Sequence, residues 1–126
     1  MNKLLWIAAA GLAGTLCRYV LSTWIDERSH SSFPFGTLAV NLTGCFAAGL
    51  LFPIFERAAI PAEMRLAVFT GFLGGFTTFS AYGLQTLVLV DGGMTRLAAI
   101  NVMVSNVVGL AMVWLGSTVG RTMNRF

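Results

Sequence analysis

Four apolar runs, each long enough to cross a bilayer, are separated only by short polar turns, and this constrains the chain more than anything else in it. A helix needs about 20 consecutive apolar residues to cross the hydrocarbon layer. The runs cover residues 4–24, 36–55, 64–90 and 97–119 of a chain of 126. The spans therefore take up nearly the whole chain, and the expectation is one all-α transmembrane domain over residues 1–126. Polar punctuation closes each run: Asp26 to Ser32 and Pro34 after the first, Glu56, Arg57 and Pro61 after the second, and Asp91-Gly92-Gly93 after the third. Arg121 and Arg125 follow the fourth. Only 10% of the residues are charged, against about 25% in soluble domains.

Several function classes fall away on this reading. No soluble catalytic domain fits beside the spans, and the single histidine, His30, lies in a polar turn with no Ser/His/Asp or Cys/His set around it. An enzyme is not expected. The net charge is +3, but the basic residues are scattered rather than arrayed on a stripe, so nucleic acid is not expected as a partner. Cys17 and Cys45 both fall within apolar runs and read as small packing residues. The first run follows a lone Lys3, contains Arg18 and lacks a small-residue cleavage site, which favours a retained span over a signal peptide.

Alternating spans put Lys3, Arg57, Arg65, Arg121 and Arg125 on one side and Arg28 and Arg96 on the other, a weak bias toward both termini inside. Trp6, Trp24 and Trp114 lie toward run ends, as interfacial anchors do. Pro53 lies near the end of the second run and reads as a boundary rather than a kink.

Polar residues inside the runs carry the functional information, because the bilayer penalises them unless they do something. Arg18 follows Gly11 and Gly14 in the first run, Thr37, Asn41 and Gly44 share a face of the second, and Asn101, Ser105 and Gly109 repeat every four residues in the fourth. The five acids, Asp26, Glu27, Glu56, Glu63 and Asp91, are all placed in loops. A proton-coupled exporter of cations needs a membrane carboxylate, and cation channels commonly ring their pores with acids. Neutral donors and one arginine suit an anion. Each residue also has a plainer reading. Arg18 can snorkel to an interface, Asn41 can tie helices together, Ser105 can bond its own backbone, and the pairs Gly71/Gly75 and Gly116/Gly120 can be packing faces.

The third run contains Thr70-Gly71-Phe72-Leu73-Gly74-Gly75-Phe76-Thr77-Thr78-Phe79-Ser80. Adjacent glycines followed by two threonines invite a helix break at mid-membrane, tolerated there only when buried in protein or lining a cavity. Carbonyls freed by such a break suit a cation, and Phe79 and Tyr82, three apart, share a helix face.

These residues, in this order, resemble the Fluc fluoride channels, also called CrcB proteins, over nearly the whole chain: Gly14 and Arg18, the Gly36 to Gly44 run, the Thr70 to Ser80 run, and Asn101 to Gly116. The resemblance implies an antiparallel, dual-topology homodimer of four-helix subunits, multi-pass in a bacterial cytoplasmic (inner) membrane, in contact with membrane lipid. It implies two pores near the dimer interface and a structural sodium ion, the only cofactor, buried between the broken third helices and held by the backbone carbonyls of Gly74 and Thr77. By matched position, Asn41 would donate its amide to fluoride, Phe79 and Tyr82 would line the path, Ser80 and Ser105 would extend the polar track, and Arg18 would sit near a vestibule; Thr37 is expected among the pore residues. The implied function is passive, fluoride-selective export that limits accumulation in the cell. Two departures stand out: Tyr82 where phenylalanine is usual, and Asn101 where some relatives carry tyrosine.

The chemistry fits that implication. Fluoride is small and strongly hydrated, so a pore must replace its water with N–H and O–H donors and the positive edges of aromatic rings. Conduction also needs weak, repeated sites rather than one strong cation. Two rivals keep different features: a small multidrug-type proton-coupled exporter shares the size but needs the missing carboxylate, and a non-transporting membrane assembly protein would use the glycine faces for packing alone.

Overall fold

The computed structural model describes residues 2–123, so Arg125, counted above in the charge bias, lies outside the described residues. The chain is helical throughout, with four segments long and apolar enough to cross a membrane: Lys3–Ser29, Phe35–Arg57, Ala62–Asp91 and Thr95–Met123. Helix α1 covers Asn2–Ser29 and α2 Phe35–Arg57. The third segment is composite. A short α3, Ala62–Arg65, leads into a π-helical stretch, Leu66–Leu73, and a single turn α4, Gly74–Phe76. Thr77 (φ −84°, ψ 156°) and Thr78 (φ −149°, ψ 114°) are then extended before α5, Phe79–Asp91. Helix α6 is Thr95–Met123.

Each helix runs past the boundary expected from hydropathy, because apolarity ends where lipid would end while backbone hydrogen bonding does not. Asp26 and Glu27 lie within the last turns of α1, Glu56 within α2, Glu63 within α3, and Asp91 closes α5, so the acids sit at helix ends rather than in loops. Asp26 has a local task there: its Oδ1 accepts the Gly36 N–H at 2.7 Å, satisfying one of the unpaired donors that open α2. Pro53 is not a boundary, since α2 continues through it to Arg57. Its missing N–H falls in the last two turns, where it disturbs little of the ladder.

Packing follows the glycines. A Cβ on Gly14 would collide with the Phe72 carbonyl and one on Gly75 with the Gly11 carbonyl, so α1 runs alongside the third segment with backbones nearly touching. Gly49, Gly116 and Gly120 play the same part between α2 and α6, where added methyls would meet the carbonyls of Val113, Phe46 and Leu50. The plain reading of Gly71/Gly75 and Gly116/Gly120 as packing faces therefore holds, as expected where van der Waals contact replaces the hydrophobic effect.

The paired residues rise together in both helix pairs, so α1 is parallel to the third segment and α2 to α6, while Gly36 lies against Ser22 and Asp26 of the antiparallel α1. One end of the bundle thus gathers the start of α1, the α2–α3 turn and the end of α6, with Lys3 Nζ 3.9 Å from Glu63 Oε1. The enclosed core is small: Val40 is fully enclosed, with Leu73, Leu89, Ala67 and Ala98 close behind. Leu4, Leu12, Leu16, Val20, Leu110 and Trp114 face outward. An apolar exterior around a thin core is what lipid, rather than water, accommodates.

Candidate functional site

The two extended residues of the third segment are held open by α2. Asn41 Oδ1 accepts the Thr78 N–H at 2.8 Å, and Asn41 Nδ2 donates to the Thr78 carbonyl at 3.0 Å. The side-chain amide thus acts as a strand partner for a single residue. Gly44, one turn on, makes the approach possible, since a Cβ there would strike the Thr77 side chain.

This exchange has a consequence one turn upstream. In an uninterrupted helix the Gly74 carbonyl accepts from the residue-78 N–H, but that N–H points to Asn41. The Thr77 carbonyl would accept from Ala81, whose N–H goes instead to Thr78 Oγ1 at 3.2 Å, an N-cap for α5. Two hydrogen bonds therefore release the carbonyls of Gly74 and Thr77 from the helix ladder. Thr77 itself returns to the preceding turn, where its N–H and its hydroxyl each bond the Leu73 carbonyl at 2.9 Å.

Beside the extended residues lies a cleft of about 410 Å³, lined among others by Asn41, Cys45, Thr77, Phe79, Tyr82 and Ser105. The Phe79 and Tyr82 rings are 5.2 Å apart and tilted by 52°, and Phe79 is 81% exposed. From α6, Asn101 is nearly enclosed at 2% exposure and donates to Thr86 Oγ1 at 2.9 Å, while Thr86 bonds the Tyr82 carbonyl at 2.8 Å. Ser105 lies one turn on, its Oγ 3.4 Å from Asn101 Oδ1, so it bonds a side chain and not its own backbone.

Six of the residues singled out from the sequence, Asn41, Gly74, Thr77, Phe79, Tyr82 and Ser105, line this one cleft. Three do not. Ser80 is exposed next to it, its Oγ 3.3 Å from Thr78 Oγ1. Thr37 is buried one turn before Asn41 at 6% exposure. Arg18 lies half-buried on α1, and its Nε has no hydrogen-bond partner among the described residues.

Sequence reasoning missed Thr78, Thr86, Cys45 and Asn106. Thr78 carried a usable signal, a threonine directly before a helical run. Asn106 carried one as well, being a polar residue inside an apolar run, but it falls beside the four-residue stripe of Asn101, Ser105 and Gly109. Its Nδ2 nonetheless donates to the Tyr82 hydroxyl at 3.1 Å and to the Val102 carbonyl at 2.8 Å.

Comparisons with known proteins bear on this geometry. A family model described as CrcB-like protein, Camphor Resistance (CrcB), matches residues 5–117. The chain is 45% identical over 124 residues to the fluoride-specific ion channel FluC of Citrifermentans bemidjiense, covering 98% of this chain and 100% of the relative. It is equally similar to the FluC of Geobacter sp. strain M21, at 45% over 124 residues with the same coverage. The FluC of Salinibacter ruber is 44% identical over 117 residues, covering 93% of this chain and 88% of the relative.

Proposed function

This chain belongs to the CrcB-like family, and from that membership and the cleft beside Thr78 we propose that it is a multi-pass membrane channel selective for fluoride. The observation that carries the reading is the state of the Asn41 amide. Its oxygen and one of its two N–H groups are engaged by Thr78, which orients the second N–H of a residue lining the cleft. A fixed neutral donor replaces part of the water shell of an anion without the grip of a full charge, as rapid release requires. The ring edges of Phe79 and Tyr82 add weakly positive surface. No carboxylate lines the cleft to repel an anion or to exchange protons against a cation.

The functional unit is two copies in inverted orientation in the bacterial inner membrane. The exposed Phe79 and the open side of the cleft favour closure by a second copy, and inversion suits the weak charge bias. The third span then crosses as a helix broken at mid-membrane. The released carbonyls of Gly74 and Thr77 are hard oxygen donors, so they fit a sodium ion, which would be held there jointly with the same carbonyls of the second copy and would tie the two breaks together. Transport is passive, down the fluoride gradient, and limits fluoride accumulation in the cell.

Purified protein in liposomes tests this. Fluoride efflux on imposing a gradient is expected, with chloride retained; equal loss of chloride, or no fluoride loss, would sink the proposal.

A further inference from the structure

The side-chain donors that line the cleft are mostly engaged already. The Thr77 hydroxyl donates to the Leu73 carbonyl and Ser105 to Asn101 Oδ1. Thr78 Oγ1 accepts from Ala81 and is hydrogen-bonded to Ser80 Oγ, either hydroxyl serving as donor, so one proton of that pair stays uncommitted. Asn106 uses both N–H groups of its amide, one on the Val102 carbonyl and one on the Tyr82 hydroxyl. A carbonyl accepts only a donor, so Val102 sets the amide the right way round, and Tyr82 can only accept from it.

Among the described residues, the Tyr82 hydroxyl is a further side-chain donor left over in the cleft. Having accepted from Asn106, the Tyr82 oxygen still carries its own proton, for which the described residues offer no acceptor. Accepting one hydrogen bond also polarises the O–H and strengthens it as a donor. We infer that the Tyr82 hydroxyl, oriented by Asn106, is a second hydrogen-bond donor to the permeating anion, alongside the free N–H of Asn41. Tyr82 is thereby a direct binding residue and Asn106 a positioning residue. The inference rests on the channel reading above and assigns a specific donor within it. The added hydroxyl is then a second grip on an anion that the rings alone would hold only by their edges.

The experiment is the concentration dependence of fluoride flux through the full-length protein in liposomes, for the unmodified chain, Tyr82→Phe, Asn106→Leu and the double variant. Tyr82→Phe keeps the ring and the packing and removes only the O–H. The half-saturating fluoride concentration is expected to rise about tenfold, as for one hydrogen bond to a charged partner. Asn106→Leu should raise it by a smaller factor, and the double variant should match Tyr82→Phe alone. A half-saturating concentration unchanged in Tyr82→Phe, while the unmodified chain conducts, would overturn the inference and leave the channel reading standing. A further rise on adding Asn106→Leu to Tyr82→Phe would overturn the positioning role, because Asn106 would then act without the hydroxyl. No flux through the unmodified chain would overturn both readings.

Discussion

Asn41 meets Thr78 at both ends of its amide, so replacing it does more than remove the proposed pore donor. Asn41→Ala leaves a backbone N–H and a carbonyl without partners, at a cost of about 1–3 kcal/mol for each if buried. Fluoride efflux from liposomes should be lost, and thermal unfolding in detergent should move down as well. Asn41→Asp keeps the acceptor for the Thr78 N–H but removes both N–H groups and adds a charge that repels anions. With its second oxygen set against the Thr78 carbonyl in place of the donor, it should lose stability as Asn41→Ala does and likewise fail to conduct. Conduction by Asn41→Asp at the unmodified rate would mean that the amide protons play no part in the path. Asn101 is a cleaner structural case. It is nearly enclosed on Thr86 and Ser105, so Asn101→Leu should cost about 1–3 kcal/mol of stability through the polar groups it strands.

Helix α5 owes its start to one side chain. Thr78 Oγ1 caps it at Ala81, and a lost threonine cap costs about 1 kcal/mol. Thr78→Val should lower the unfolding temperature modestly, and it should also reduce flux, because α5 carries Phe79 and Tyr82; an unaltered melt and flux would rule out the cap. The glycine faces make a harsher demand. Gly116→Val would push a side chain into the Phe46 carbonyl across the α2–α6 contact, and no rotamer relieves a clash with backbone. That variant should fail to yield a stable protein by size-exclusion chromatography. These elements differ in how far they could be read in advance. Existence and order of the four spans follow from hydropathy, and the glycine faces from their four-residue spacing. The ends of the helices do not, because polar residues such as Asp26 and Glu56 prolong a helix beyond its apolar part. The π-helical stretch Leu66–Leu73 has no residue-level mark. Within the site, Asn41 stood out as a polar residue in an apolar run, whereas its pairing with Thr78 is a contact across 37 positions that no local pattern encodes. Asn106 was missed for the same reason, since its importance lies in Tyr82 on another helix.

For the whole molecule, charge–charge contacts matter little beside the proposed anion path. Lys3 and Glu63 are well exposed, so Lys3→Ala should shift stability by less than roughly 1 kcal/mol. A large loss would assign that contact a weight its solvation does not support. The cleft instead joins α2, α5 and α6 through neutral donors and aromatic edges, with the acids at the helix ends. Such a molecule should pass an anion freely rather than exchange it for protons, and the distinction is electrical. The most direct measurement is current through the full-length protein in a planar bilayer, with fluoride and chloride present on both sides in opposite concentration gradients at equal pH. A fluoride channel gives a current that reverses near the fluoride equilibrium potential and stays there when pH is changed on both sides together. Reversal near the chloride potential, or no current while fluoride moves only against protons, would contradict the channel reading.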